Sequence, residues 1–188
     1  MTKTLELVPL KCLRCGTLVP AEEEEVAWVC AQCGQGMHLT LDGLAPLDVK
    51  WAMARENTSR IQWLPFWVFS GTVVFGQRQS YGGQTKPDAL WDKPCRFYVP
   101  AFPASLEKIE TLGADLTRKQ VLLNAGPATS ALTQCTLFPA DARHAVEFIV
   151  LTIEADRKDK LRSVDFTLDL AEPELWLLPF VDEKLAIE

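Results

Sequence analysis

Four of the six cysteines in this sequence fall into two copies of one pattern, Cys12-Leu13-Arg14-Cys15-Gly16 and Cys30-Ala31-Gln32-Cys33-Gly34, with fourteen residues between Cys15 and Cys30. Each C-x-x-C-G sets two thiolates on one tight turn. The glycine after the second cysteine supplies the positive φ that lets backbone amides face sulfur. Two such knuckles offer four soft ligands, the donor set of a closed tetrahedral zinc site, and core packing gives no reason for this spacing. Four protein ligands leave no coordination position for water, so the expectation is one structural zinc held by Cys12, Cys15, Cys30 and Cys33. A redox C-x-x-C of the thioredoxin kind would need a single motif in a βαβ setting.

The remaining candidates for chemistry are sparse. The sequence holds no G-x-S-x-G elbow, Walker phosphate loop, G-x-G-x-x-G or H-E-x-x-H. His38 and His144 are the only imidazoles. His38 falls beside the cysteine motifs, but four sulfurs already satisfy a zinc ion. Cys95 or Cys135 with His144 could form a nucleophile and base, yet nothing local supports the pairing, and both cysteines read as small buried hydrophobes. Asp165 and Asp169 read as the solvated side of a strand. Arg157, Lys158, Lys160 and Arg162 form the one basic cluster, which complements the dipole of a helix ending near Asp156; the alternative is an anion or nucleic-acid patch. The expectation is a protein that is not an enzyme.

The stretch over residues 8–43 resembles the zinc ribbon family, and the resemblance implies a small metal-held hairpin module. Rubredoxin-like iron carriers also use two such knuckles but separate them further. Three strands fit the ribbon: residues 4–10, residues 26–29 and residues 37–41. The four glutamates at positions 22–25 read as a charged hairpin tip beside Trp28. Residues 42–46 read as a turn-rich boundary, giving a ribbon over residues 1–46 that packs against a second domain over residues 47–188.

In the second domain, Val49, Trp51 and Met53 alternate as a half-buried strand. Residues 61–75 are apolar on both faces and predict a long covered strand, with Pro65 marking an edge or bulge and Gly71 a bend. Residues 77–92 read as a long polar loop, and residues 95–102 as a third strand. Ser105 is placed to cap a helix carrying Leu106, Ile109, Leu112 and Leu116, in which Gly113 costs stability. Residues 123–140 show no strong element. Asp141 reads as the cap of a second helix, in which Ala142, Ala145, Val146, Ile149, Val150 and Ile153 follow the 3.6 period while Arg143, Glu147 and Glu154 take the other side. A hairpin from residues 146–153 is the rival reading. Residues 163–170 and 174–181 complete five strands. The fold class is therefore α+β: a three-stranded ribbon followed by an antiparallel-sheet domain with one or two helices. Leu64-Pro65-Phe66-Trp67 and Tyr98-Val99-Pro100-Ala101-Phe102 are similar to segments of uncharacterised bacterial ribbon-headed proteins, a likeness that carries no activity.

Charge narrows the choice of partner. Formal net charge is −6, and residues 1–46 carry three Lys/Arg against six Asp/Glu. A binder of the phosphate backbone should show a basic stripe, so nucleic-acid binding is the second reading and protein–protein interaction the first. Six tryptophans are present, and Trp63, Trp67 and Phe69 share one strand face, a candidate partner surface; the plainer reading buries both faces, a helix layer on one and the ribbon on the other. The longest clean apolar run, residues 63–69, is too short for a membrane span, and the N-terminal segment lacks a signal-peptide hydrophobic region. Free thiols at Cys95 and Cys135 suit a reducing compartment, hence a cytoplasmic expectation. Oligomeric state and the partner's identity are left open by the sequence.

Overall fold

The computed structural model describes residues 10–55, 58–129, 132 and 134–187. Its strands run in chain order β1 (Ala27–Val29), β2 (Gly36–Thr40), β3 (Gly43–Leu47), β4 (Val49–Ala52), β5 (Gln62–Ser80), β6 (Gly83–Gln84), β7 (Cys95–Pro100), β8 (Ala125–Gly126), β9 (Leu161–Leu170), β10 (Glu174–Val181) and β11 (Lys184–Leu185). Two helices, α1 (Leu106–Lys119) and α2 (Pro139–Ala155), and a short 3-10 turn at Ala89–Asp92 complete the described elements. The class is α+β, as expected. The five strands predicted beyond the ribbon all form, as do both helices between the third and fourth of them.

The 19-residue β5 organises the larger sheet. Its first half pairs with β10 on one side and β7 on the other, and its second half pairs with β9. Because β9 and β10 follow one another along the same edge, the Ala171 amide bridges the gap by donating to the Ser70 carbonyl at 2.9 Å. The sheet is antiparallel except where β10 runs parallel to β4. Pro65 sits inside β5 instead of at an edge or bulge. Its carbonyl accepts from Ala101 at 2.9 Å, so its nitrogen also faces that side, one residue beyond the β7 ladder, and no ladder bond is lost. Gly71 lies where the β7 ladder gives way to the β9 ladder, with the strand running on through it.

Three further expectations need correcting. The loop read over residues 77–92 is mostly structured: β5 continues to Ser80, returns as β6 and leads into the 3-10 turn. The turn read at residues 42–46 is largely β3, so the ribbon's third strand is Gly43–Leu47; the strand placed at residues 4–10 lies outside the described residues apart from Leu10. Asp141 does not cap α2. The N-cap is Phe138, with Pro139 opening the helix, where a missing N–H costs nothing.

The two faces of β5 bury different layers. Trp67, Phe69 and Val73 share a core with Val146, Ile149, Val150 and Ile153 of α2 and with Val26 and Ala27 beside the knuckles. The ribbon and α2 thus cover the same face. Phe66 and Val68 pack on the other side with Tyr98, Leu116 of α1, Trp176 and Phe180. Helix α1 starts as the sequence indicates, with the Ser105 hydroxyl accepting from the Lys108 amide at 3.3 Å. It then covers the outer edge of β7. The Gln120 amide accepts from Arg96 N at 2.9 Å and donates to Arg96 O at 3.0 Å, in the manner of a neighbouring strand. Gly113 explains its own place in that helix, since a Cβ there would lie 2.5 Å from Ile149 Cδ1 and 2.8 Å from the Tyr98 carbonyl.

Candidate metal centre

The two cysteine motifs fold into matching turns. In the first, the Gly16 amide donates to the Cys12 carbonyl at 2.9 Å and the Cys12 amide to Thr17 O at 2.8 Å; in the second, Gly34 donates to Cys30 O at 2.8 Å and Cys30 to Gln35 O at 2.9 Å. Gly16 and Gly34 stand at φ +72° and +74°, the left-handed region that glycine reaches without strain. Strands β1 and β2 pair Val29 with Gly36 and so close the second knuckle, while the Val19 amide donates to Leu10 O behind the first. Met37 is fully buried beneath the site, next to Cys12 and Cys30.

The four sulfurs come together as the spacing predicts. Their Sγ atoms all lie within 4.8 Å of one another, with Cys12 to Cys33 at 3.5 Å and Cys15 to Cys30 at 3.6 Å. A tetrahedron with metal–sulfur bonds of about 2.3 Å has edges of about 3.8 Å, so the cluster fits one metal ion. The electrostatics point the same way. The Thr17 hydroxyl and amide, with smaller help from Cys30 and Cys33, hold the Cys15 thiol down to about 6. The Cys12 thiol is also lowered, first by the Cys15 amide and then by Arg14. The Gln35 amide favours ionisation of Cys33 as well, yet desolvation and the thiols of Cys12, Cys15 and Cys30 push it up to about 12. Crowded thiols of this kind ionise together only around a cation. All six cysteines are unbridged.

The other sequence candidates fare differently. Trp67 is 1% exposed and Phe69 0%, and the Trp67 indole donates to the Leu137 carbonyl at 2.7 Å. They are core residues beneath α2 and the ribbon, so the face carrying Trp63, Trp67 and Phe69 does not form an open partner surface; Trp63 itself is half-buried. Trp28 is buried too, its Nε1 donating to Glu25 Oε2 at 2.9 Å, while Glu22, Glu23 and Glu24 remain exposed. Burial pushes the Cys95 and Cys135 thiols up to about 11 and about 12, the opposite of nucleophile activation. His144 is exposed and its Nδ1 donates to its own helix at Ala140 O, 3.0 Å away, so the structure does not bring it to either cysteine as a base. His38 lies outside the sulfur cluster, its buried Nδ1 has no hydrogen-bond partner among the described residues, and desolvation lowers the pKa of the ring. Both histidines border a largely apolar cleft of about 690 Å³ between β2 and the start of α2.

A buried ionic cluster escaped the sequence reading. Glu154 is fully buried on the core side of α2. Its carboxylate accepts from Arg78 of β5, from Trp91 Nε1 at 2.8 Å, from the Asp88 amide at 2.8 Å and from Arg157 at 3.1 Å. Arg78 also grips Asp159 and Thr85. Arg157 thereby leaves the basic cluster expected at the end of α2 and serves this one. The signal was present in the spacing, since Glu154 is four residues after the buried Val150.

Comparison with known proteins adds nothing to this geometry: no family model, no curated protein and no solved structure matches the chain. The arrangement is consistent with a zinc ribbon joined to an α+β sheet. Among the described residues, no helix is long and apolar enough to cross a membrane.

Proposed function

We propose that this protein is a non-enzymatic interaction module whose N-terminal ribbon is held by one structural zinc ion. The observation that carries the reading is the closed set of four cysteine sulfurs. Zinc suits four thiolates in tetrahedral array, has no redox chemistry of its own, and with four protein ligands has no site for substrate. The metal fixes both knuckles, and the knuckles fix the turn that presents Glu22, Glu23 and Glu24 to solvent. An exposed acidic turn on a rigid base fits a basic protein partner better than a nucleic acid. The free, buried Cys95 and Cys135 fit a reducing compartment such as the cytoplasm.

Purification of the tagged chain from its native source under low salt tests the reading. A protein partner that co-purifies in stoichiometric amount with a protein-like 260/280 nm ratio, and that the triple variant Glu22→Lys, Glu23→Lys, Glu24→Lys loses, is the expected result. A high ratio that falls with added salt would replace the reading with nucleic-acid binding.

A further inference from the structure

The two outer edges beside β5 are treated differently. The edge of β7 is covered by α1, whose Thr117 and Gln120 satisfy the main chain of Tyr98 and Arg96. The ten-residue β9 pairs with β5 on one side only, and among the described residues no strand or helix adds to its other side; Arg143 of α2 reaches just its C-terminal end, at the carbonyls of Leu170 and the following Ala171. A long free edge is a template for another strand. Beside it runs a groove of about 520 Å³, floored by half-buried Val164, Phe166 and Leu168 and walled by Glu147 and Leu151 of α2. On that helix Phe148 and Leu151 are 46% and 37% exposed.

We propose that the free edge of β9 is a self-association surface, on which a second copy of this chain adds its own β9 antiparallel across a two-fold axis. The register is set by the strand's own side chains. Residues opposite one another in a symmetric antiparallel pair share a face, so the two numbers of each pair sum to twice the central residue. Centring on Asp165 or Asp169 sets a carboxylate against its own copy, and centring on Thr167 sets Asp165 against Asp169. Centring on Phe166 sets Asp165 against Thr167 and Ser163 against Asp169 on the solvent face, and Val164 against Leu168 on the groove face. This register pairs residues 163–169 throughout with no facing acids and is apolar where the groove is apolar, whereas centring on Val164 pairs an equal span but sets Arg162 against Phe166 on the groove face. The axis is normal to the sheet, so the second α2 arrives on the same face and closes the groove with its own Phe148 and Leu151. The inference rests on the sheet edge and not on the metal or the acidic turn.

Thr167 gives a test that leaves the core untouched, because its side chain is exposed. Sedimentation equilibrium of the full metal-loaded chain from about 1 µM to about 100 µM should find a dimer. Thr167→Lys places a cation against Asp165 twice and should keep the dimer. Thr167→Asp places a like charge there twice and should raise the dissociation constant by roughly tenfold or more, with an unchanged circular dichroism spectrum. A wild-type chain that stays monomeric over this range overturns the proposal, and so does a dimer that both variants weaken equally or that Thr167→Asp leaves intact.

Discussion

Glu154 shows how much one buried carboxylate can organise. It ties α2 to β5 through Arg78, to the 3-10 turn through Trp91 and Asp88, and to the loop after α2 through Arg157. Glu154→Ala takes from Arg78 its buried carboxylate, leaving Asp159 as its counter-ion, and deprives the Trp91 indole and the Asp88 amide of their acceptor, so chemical denaturation should show a loss of about 3–5 kcal/mol; replacing Glu154 and Arg78 together with Met should recover only the ion-pair part of it. Asp159 gives the same cluster a pH dependence. The Arg78 guanidinium, aided by Thr85 and Arg157, holds its carboxyl at about 2, against an ordinary 3.8. The native pKa lies below the unfolded one, so this pair contributes in full above about pH 4 and is lost as pH falls toward about 2. The melting temperature of Asp159→Asn should therefore drop less steeply over that window than the wild type's. Residue types alone concealed this cluster: Glu154 follows the helical period of the buried face, but its charge drew it to the polar side, and Arg78 lay in a stretch read as loop.

At the scale of elements, α1 is placed by one missing side chain. Alanine is favoured over glycine in a helix interior by about 1 kcal/mol, but a Cβ at Gly113 would press on the Tyr98 carbonyl and on Ile149. The backbone contact cannot yield without moving β7. Gly113→Val should destabilise the fold by about 1–3 kcal/mol through overpacking, measured by urea unfolding, and a stabilised variant would contradict the packing described. Periodicity made the two helices and five strands of the larger sheet legible, because each buries one face or both. It missed the end of β5, where a register shift between Phe75 and Arg78 breaks the alternation and Arg78 enters the interior only because Glu154 meets it. It also missed β3, where Gly43 and Pro46 read as breakers. There β2 supplies pairing along all of Gly43–Leu47, and tertiary context overrides local preference.

In the whole molecule the metal centre and the main core are joined. Val26 and Ala27, between the knuckles, belong to the core cluster of Trp67 and α2, and the Val26 amide donates to the Cys135 carbonyl at 2.8 Å. The four ligands were legible because their chemistry depends on spacing and residue type alone. The aromatic face is buried, as the plainer reading has it, and not a partner surface, but α2 and the ribbon share one side of β5 while α1 packs on the other, which the strand's own residues do not reveal. Loss of metal should therefore loosen more than the knuckles, with faster hydrogen exchange at Val26 as well as at Cys12 and Cys30. The most direct test is native mass spectrometry of the purified chain, paired with thermal melting before and after chelation. One zinc per chain, lost in Cys12→Ser, Cys15→Ser, Cys30→Ser and Cys33→Ser alike, and a lowered or split melting transition on its removal, are the results predicted. A chain that folds and melts identically without metal, or that keeps its zinc in all four variants, would contradict the assignment of a structural four-cysteine zinc site.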